Sequence, residues 1–185
     1  MNRKKLFFIL IIVLVAIIAV LAFMKSFTKE ESSIPTEITP LEEITDEQER
    51  QTMISLYFVN SETNTLVPEA RRIDAKKLLE SPYKELVQLL IMGPKNDKLE
   101  TAIPEGTRVN NAVLKNDILE LDLSNEFIEN QKGDAEIASL SIYSIVNTLT
   151  ELNEVNSVRI LINGEDNKKF QNCDLTLSNA FIRKD

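Results

Sequence analysis

Three carboxylates lie close together in Glu120, Asp122 and Glu126. Paired acids can divide the acid and nucleophile roles of glycan cleavage. The spacing speaks against that chemistry. Glu120 and Asp122 alternate with Leu119, Leu121 and Leu123, so the two acids are like-charged neighbours on one face of a strand whose other face meets a core. No aromatic cluster beside them offers a sugar platform, for the chain has no Trp and three Tyr. The acids read as a solvated strand face, with Asp122 and Ser124 shaping the turn that follows.

Asn163-Gly164-Glu165-Asp166-Asn167 offers oxygen-bearing side chains to a calcium ion, but its spacing does not match the calcium-binding loop between two helices. It reads as a solvated turn of the kind Asn and Gly mark. Cys173, the one cysteine, sits between Asn172 and Asp174 with no cation to lower its pKa. It reads as a small buried hydrophobe and excludes both an internal disulfide and a CxxC pair. His is absent altogether, which removes the side chain most used for proton transfer near neutral pH and the commonest zinc ligand. The chain is therefore expected to hold no catalytic residue, no metal and no cofactor, and not to be an enzyme. The competing reading is a module that binds cell-wall material or small molecules, or a peptidoglycan-active enzyme.

The charge balance narrows the partners. Of 21 Lys and Arg, three lie at Arg3, Lys4 and Lys5, which leaves 18 against 29 Asp and Glu over the rest of the chain. A surface near −11 repels phosphate backbones, so no nucleic-acid partner is expected.

These residues must be positioned by elements that begin after a membrane anchor. Leu6-Phe7-Phe8-Ile9-Leu10-Ile11-Ile12-Val13-Leu14-Val15-Ala16-Ile17-Ile18-Ala19-Val20-Leu21-Ala22-Phe23-Met24 is an unbroken apolar run. As a helix it would reach roughly 28 Å, close to the hydrocarbon thickness of a bilayer. Arg3, Lys4 and Lys5 before it and acids after it place the N-terminus in the cytoplasm and the remainder outside, as a single-pass signal anchor of the cell membrane. The competing reading is a cleaved signal peptide, with a cut near Val20-Leu21-Ala22. Residues 1–24 are thus read as a cytoplasmic tip and transmembrane helix, 25–51 as an acidic flexible linker broken by Pro35 and Pro40, and 52–185 as an extracytoplasmic domain.

Within that domain the β-rich run Met53–Val59 predicts a strand, and Leu66–Ile73 a return strand whose Pro68 suits an edge. Ser81 as cap, Pro82 in the first turn and Gly93-Pro94 as a stop delimit a helix with Tyr83, Leu86, Val87, Leu90 and Ile91 on one stripe. Arg108–Lys115 and Ile118–Leu123 predict a hairpin reversing at Asn116-Asp117. A second helix is expected from Asp134, its cap, to Leu152, followed by a strand at Val155–Ile162 and a closing strand or tail through Leu175, Leu177 and Phe181. The order predicts an α+β fold with two helices packed on one face of a largely antiparallel sheet. Arg71-Arg72 and Lys76-Lys77 read as solvated edge and connector charges.

On the second helix, Leu140 and Tyr143 fall on the side away from the stripe through Ala138, Ile142, Ile145, Leu149 and Leu152. They are expected to be exposed on a face that also carries Glu136, Asn147 and Thr150, and are the candidate interface. The alternative is that the tail around Leu175–Phe181 folds over them.

Tyr57-Phe58, the helix ending in Leu89-Leu90-Ile91-Met92-Gly93-Pro94, and Ile103-Pro104-Glu105-Gly106-Thr107 occur in an order that resembles the GerMN domain. The likeness continues through Leu121-Asp122-Leu123-Ser124-Asn125-Glu126-Phe127, Ile145-Val146-Asn147-Thr148-Leu149-Thr150-Glu151 and Val158-Arg159-Ile160-Leu161-Ile162-Asn163-Gly164, and covers the chain from about Met53 to Phe181. The family is known from sporulation and spore germination proteins of endospore formers. The resemblance implies a fold similar to ring-building motifs of secretion systems. It also implies a non-catalytic structural or interaction role in an envelope complex, with other envelope or sporulation proteins as partners and a ring or homo-oligomer as the form of assembly. Members with paired copies resemble parts of the secretion channel between mother cell and forespore. This chain departs by carrying one copy and a transmembrane helix in place of a lipid anchor.

Overall fold

Residues 51–184 are described by a computed structural model, so the expected tip, anchor and all but the last residue of the expected linker lie outside the described residues. Among the described residues no helix is long and apolar enough to cross a membrane.

Strands β1 (Gln51–Asn60) and β2 (Leu66–Asp74) form an antiparallel hairpin. Asn60 shapes its reversal by accepting the amides of Glu62 and Thr63 at 2.9 and 3.1 Å, and Asn64 takes the left-handed conformation at φ 53°, which Asn tolerates better than most residues. Leu56 and Phe58 alternate inward and are fully buried. Asp74 then accepts the Lys76 amide at 2.9 Å and caps a short helix, α1 (Ala75–Glu80), which the sequence reading did not anticipate. The presence of α1 changes the role of Ser81. Its amide donates to the Lys77 carbonyl at 3.1 Å, closing α1, and its hydroxyl caps nothing. Helix α2 (Pro82–Met92) starts on Pro82 and ends at Gly93, with Leu86, Val87 and Leu90 buried.

After the two-residue strand β3 (Leu99–Glu100), strands β4 (Val109–Lys115) and β5 (Ile118–Leu123) form the expected hairpin around Asn116 at φ 60°. Helices α3 (Glu126–Glu129) and α4 (Ala135–Leu149) lead to β6 (Ser157–Ile162), and a tail ends in β7 (Phe181–Ile182). Asp134 caps α4 as expected, accepting the Glu136 and Ile137 amides at 3.0 and 3.2 Å.

The α+β class holds, but the strands form two sheets, ordered β2-β1-β3 and β4-β5-β6-β7. The strands are largely antiparallel as expected, and two features depart from the single sheet. First, β5 and β6 run parallel, because the connection between them crosses over through α3 and α4. Second, the edge of β1 away from β2 is met at Tyr57 by a helix. The Tyr57 amide donates to Thr148 Oγ1 at 3.0 Å, and Ser144 Oγ donates to the Tyr57 carbonyl at 2.6 Å. The Tyr57 N–H and C=O thus both point away from β2, so Tyr57 faces Pro68 as a non-hydrogen-bonded pair and the missing N–H of Pro68 costs the hairpin no bond to Tyr57. Ser144 and Thr148 are one helical turn apart and both are fully buried, so α4 supplies two hydroxyls where a strand would supply backbone.

The core lies between these layers: Leu119, Leu121 and Leu123 of β5, Val158, Ile160 and Ile162 of β6, and Ile142, Ile145, Val146 and Leu149 of α4 are all essentially inaccessible. Phe127 packs against Phe170 with ring centroids 5.5 Å apart, which fastens the start of the tail to α3. Arg71, read from the sequence as solvated, is buried over the Phe58 ring, paired with Glu69, and directed at the Gly93 carbonyl 3.3 Å away.

Candidate functional site

The carboxylates singled out in the sequence serve three separate local contacts. Glu120 pairs with Lys115 at 2.6 Å. Asp122 accepts the Gly164 amide at 2.8 Å, tying β5 to the turn after β6. Glu126 pairs with Arg108 at 2.8 Å. The Ser124 hydroxyl, the backbone amide of Glu126 itself and the Arg108 guanidinium hold the Glu126 carboxyl down at about 2. A group that acidic has no proton to give near neutral pH, which removes it as a general acid. Asn163 and Asn167 adopt positive φ in an exposed turn, and Cys173 is a half-buried free thiol packed against the core. Among the described residues no group of three or more His, Cys, Asp or Glu could hold a metal ion.

A concavity among the described residues is built from segments distant in sequence. The turn Ile103-Pro104-Glu105-Gly106-Thr107 forms one wall. It is closed by Thr107, whose hydroxyl donates to the Pro104 carbonyl at 2.7 Å, and by Gly106 at φ 83°. Asn130 at the end of α3 clips it from below, donating to the Glu105 carbonyl at 2.8 Å. The facing wall is the start of α4. Gly133, at φ 99°, faces Ile137 so closely that a Cβ there would lie 3.0 Å from that side chain. Ser141 ties the walls together, directed at the Ala102 carbonyl at 2.6 Å and Gln131 Oε1 at 2.8 Å.

Together with Val59, Asn64 and Glu100, these walls enclose a groove of about 1030 Å³. Its apolar lining includes Ile103 and Pro104, both buried, Leu140, half-buried, and Ile137, which is 38% exposed. Its charged lining is Glu100, Glu105, Glu126 and Glu129 against Lys132. Among the described residues, Glu100, Glu105 and Glu129 form no ion pair.

The candidate interface pair is divided by this arrangement. Leu140 and Tyr143, expected to be exposed, are both half-buried. Leu140 lines the groove. Tyr143 meets Phe181 edge-on at 6.2 Å, with the Lys184 ammonium 5.2 Å above its ring. Asn147, expected on the same open face, is buried and grips the tail: its side chain donates to the Lys184 carbonyl at 2.7 Å and accepts the Lys184 amide at 3.1 Å. Arg183 adds a 2.7 Å pair with Glu151 and lies over the Tyr57 ring. The correction has a clear cause, since a side-chain amide imitates a strand edge and draws the terminal residues over that part of α4.

The groove escaped the sequence reading because its lining comes from separate segments, each bland alone. The signal available was Gly133, an unpaired glycine just before a helix cap, whose missing side chain leaves room for Ile137.

A family model described as sporulation and spore germination matches residues 55–168. No curated protein matches. Among solved structures, the chain is similar to the first GerMN domain of the sporulation protein GerM from Bacillus subtilis, with 25% identity and a TM-score of 0.62 over 72% of this chain and 99% of that one. It is also similar in fold to the tandem GerMN domains of that protein, with 24% identity and a TM-score of 0.58 over 74% of this chain; it spans 47% of the tandem structure. With the family match running from Ser55 to Lys168 across more than half of its length, the chain belongs to the family of sporulation and spore germination proteins and carries a GerMN domain.

Proposed function

We propose that this chain is a non-catalytic assembly domain of an envelope complex in sporulation or germination, held on the outer face of the cell membrane through the apolar run Leu6–Met24. The observation that carries the reading is that the domain spans nearly all of a single GerMN unit, 99% of that structure. Glu120, Asp122 and Glu126 are each engaged in a local bond. The chain has no His, the side chain most used for proton transfer near neutral pH. The partners are other envelope or sporulation proteins, assembled with this chain in a ring or homo-oligomer. The channel between mother cell and forespore is one such assembly. Nucleic acid is disfavoured by the net charge of −8.

Deletion of the gene in its spore-forming host should lower the yield of spores or their germination, and a chain with the groove intact should restore it. Unimpaired spore formation and germination would overturn this reading. The second reading, a module for a cell-wall fragment or a small molecule, draws on the groove of about 1030 Å³, a volume suited to such ligands. Saturable binding of soluble peptidoglycan fragments by the purified chain, or their release from peptidoglycan if the module is an enzyme, would favour it over the first.

A further inference from the structure

We infer that the groove between the Ile103–Thr107 turn and the start of α4 takes a basic segment of a partner protein, in which an apolar side chain is flanked by Lys or Arg. The inference rests on reading the domain as an assembly module and adds the chemistry of what enters it. An apolar floor and a mainly acidic rim point to such a segment.

On the floor, Ile137 is 38% exposed and Leu140 half-buried above the buried Ile103 and Pro104. This apolar surface gains by leaving water. Gly133 maintains it, because any side chain there would press on Ile137 at 3.0 Å. On the rim, Glu100, Glu105 and Glu129 form no ion pair among the described residues, Glu126 is already matched by Arg108, and Lys132 is the single cation of the lining. A cleft with low-dielectric walls and charge mainly of one sign concentrates its field on what enters. Phosphate-bearing ligands are repelled. A second copy of a chain with net charge −8 arrives with the wrong sign overall. A simple polycation would satisfy the rim and leave the floor wet, whereas a protein segment with an apolar residue between basic ones answers both.

The test uses the full chain in detergent micelles and three fluorescent peptides, alternating Lys with Leu, Glu with Leu, and Lys with Ser. The Lys–Leu peptide should bind at least about tenfold more tightly than either control, as complementary charge around an apolar contact requires, and should weaken as salt is raised. The double variant Glu105→Lys and Glu129→Lys should lose about tenfold in affinity for it with an unchanged melting temperature, and Ile137→Ser should weaken it independently. Comparison with the double variant corrects for uptake of peptide by the micelle. Equal binding of the Glu–Leu or Lys–Ser peptide, or undiminished binding by the folded double variant, would overturn the inference. Self-association of the full chain that the double variant abolishes would assign the groove to a second copy and overturn it equally. Such failures would leave the sporulation phenotype untouched, so they are distinguishable from failure of the proposed function.

Discussion

The backbone amide of Tyr57 donates to the hydroxyl of Thr148 at 3.0 Å, and through that bond a helix takes the place of a neighbouring strand. Strand edges with free N–H and C=O groups invite pairing with other chains. Here the edge of β1 meets β3 only at Val59 and Asn60, and at Tyr57 it is closed by Thr148 and Ser144 of α4. The same contact limits where another chain could add a strand.

Replacing Thr148 by Val keeps the shape and removes the hydroxyl, leaving the half-buried Tyr57 amide without a partner. The expected loss is about 1–3 kcal/mol of unfolding free energy, the range for an orphaned buried polar group. Thr148→Ser should lose less because it retains the acceptor. Chemical denaturation of the variants checks this, and equal stability of Thr148→Val and the parent would show that α4 does not close the edge through this bond.

The four glycines all have positive φ but differ in their surroundings. At Gly133 an added Cβ would meet Ile137 at 3.0 Å, at Gly106 it would meet Asn130 and Glu126 at 3.5 Å, and at Gly164 nothing lies within 4 Å. Backbone strain of about 1–2 kcal/mol is common to all three alanine substitutions, so their order is set by contact. Gly133→Ala should be the most destabilising and Gly164→Ala the least, as read from thermal melting. The reverse order would contradict the packing assigned to Ile137.

The parts legible in the sequence were those fixed by neighbours along the chain. Asp134 caps α4 with its own side chain, Gly93 stops α2, and Leu119, Leu121 and Leu123 alternate inward on β5. What was illegible was set by distant partners. The bond from Ser144 to Tyr57 joins residues 87 apart and that from Asn147 to Lys184 joins residues 37 apart, and neither leaves a periodic trace. Ser144, Asn147 and Thr148 look like solvent-facing helix residues by type, yet their buried hydrogen bonds place α4 against β1 and the tail. Arg71 misled for the same reason, since only the fold brings the Gly93 carbonyl and the Phe58 ring to its guanidinium. The groove combined both difficulties, with Leu140 legible as unusual and its neighbours from other segments not.

Acid should weaken the domain through two carboxylates. Burial opposes ionisation of Glu69, but hydrogen bonds from Arg71 and from the Asn96 and Lys95 amides outweigh it and lower the pKa from 4.5. The Ser124 hydroxyl, its own backbone amide and Arg108 lower Glu126 from 4.5 to about 2. A depressed pKa in the folded state means that the stabilisation is present above the unfolded value and is lost as pH falls through the folded one. Melting temperature should therefore decline from about pH 4.5 toward 2, and the decline should be shallower in Glu69→Gln and in Glu126→Gln. A parent-like slope in both variants would exclude these groups as its source.

The apolar run Leu6–Met24, preceded by Arg3, Lys4 and Lys5, is expected to remain in the mature protein. Intact mass of the chain extracted from membranes should include it. A mature N-terminus near Phe23 would instead identify the run as a cleaved signal.

The central claim is that this GerMN domain works outside the membrane as part of a spore-forming assembly, and localisation of the full chain during spore formation tests it most directly. A fluorescent fusion that retains Leu6–Met24 should gather at the membranes separating mother cell and forespore, and a protease added to cells stripped of wall should remove the domain. A fusion spread through the cytoplasm, with the domain protected from that protease, would contradict the account.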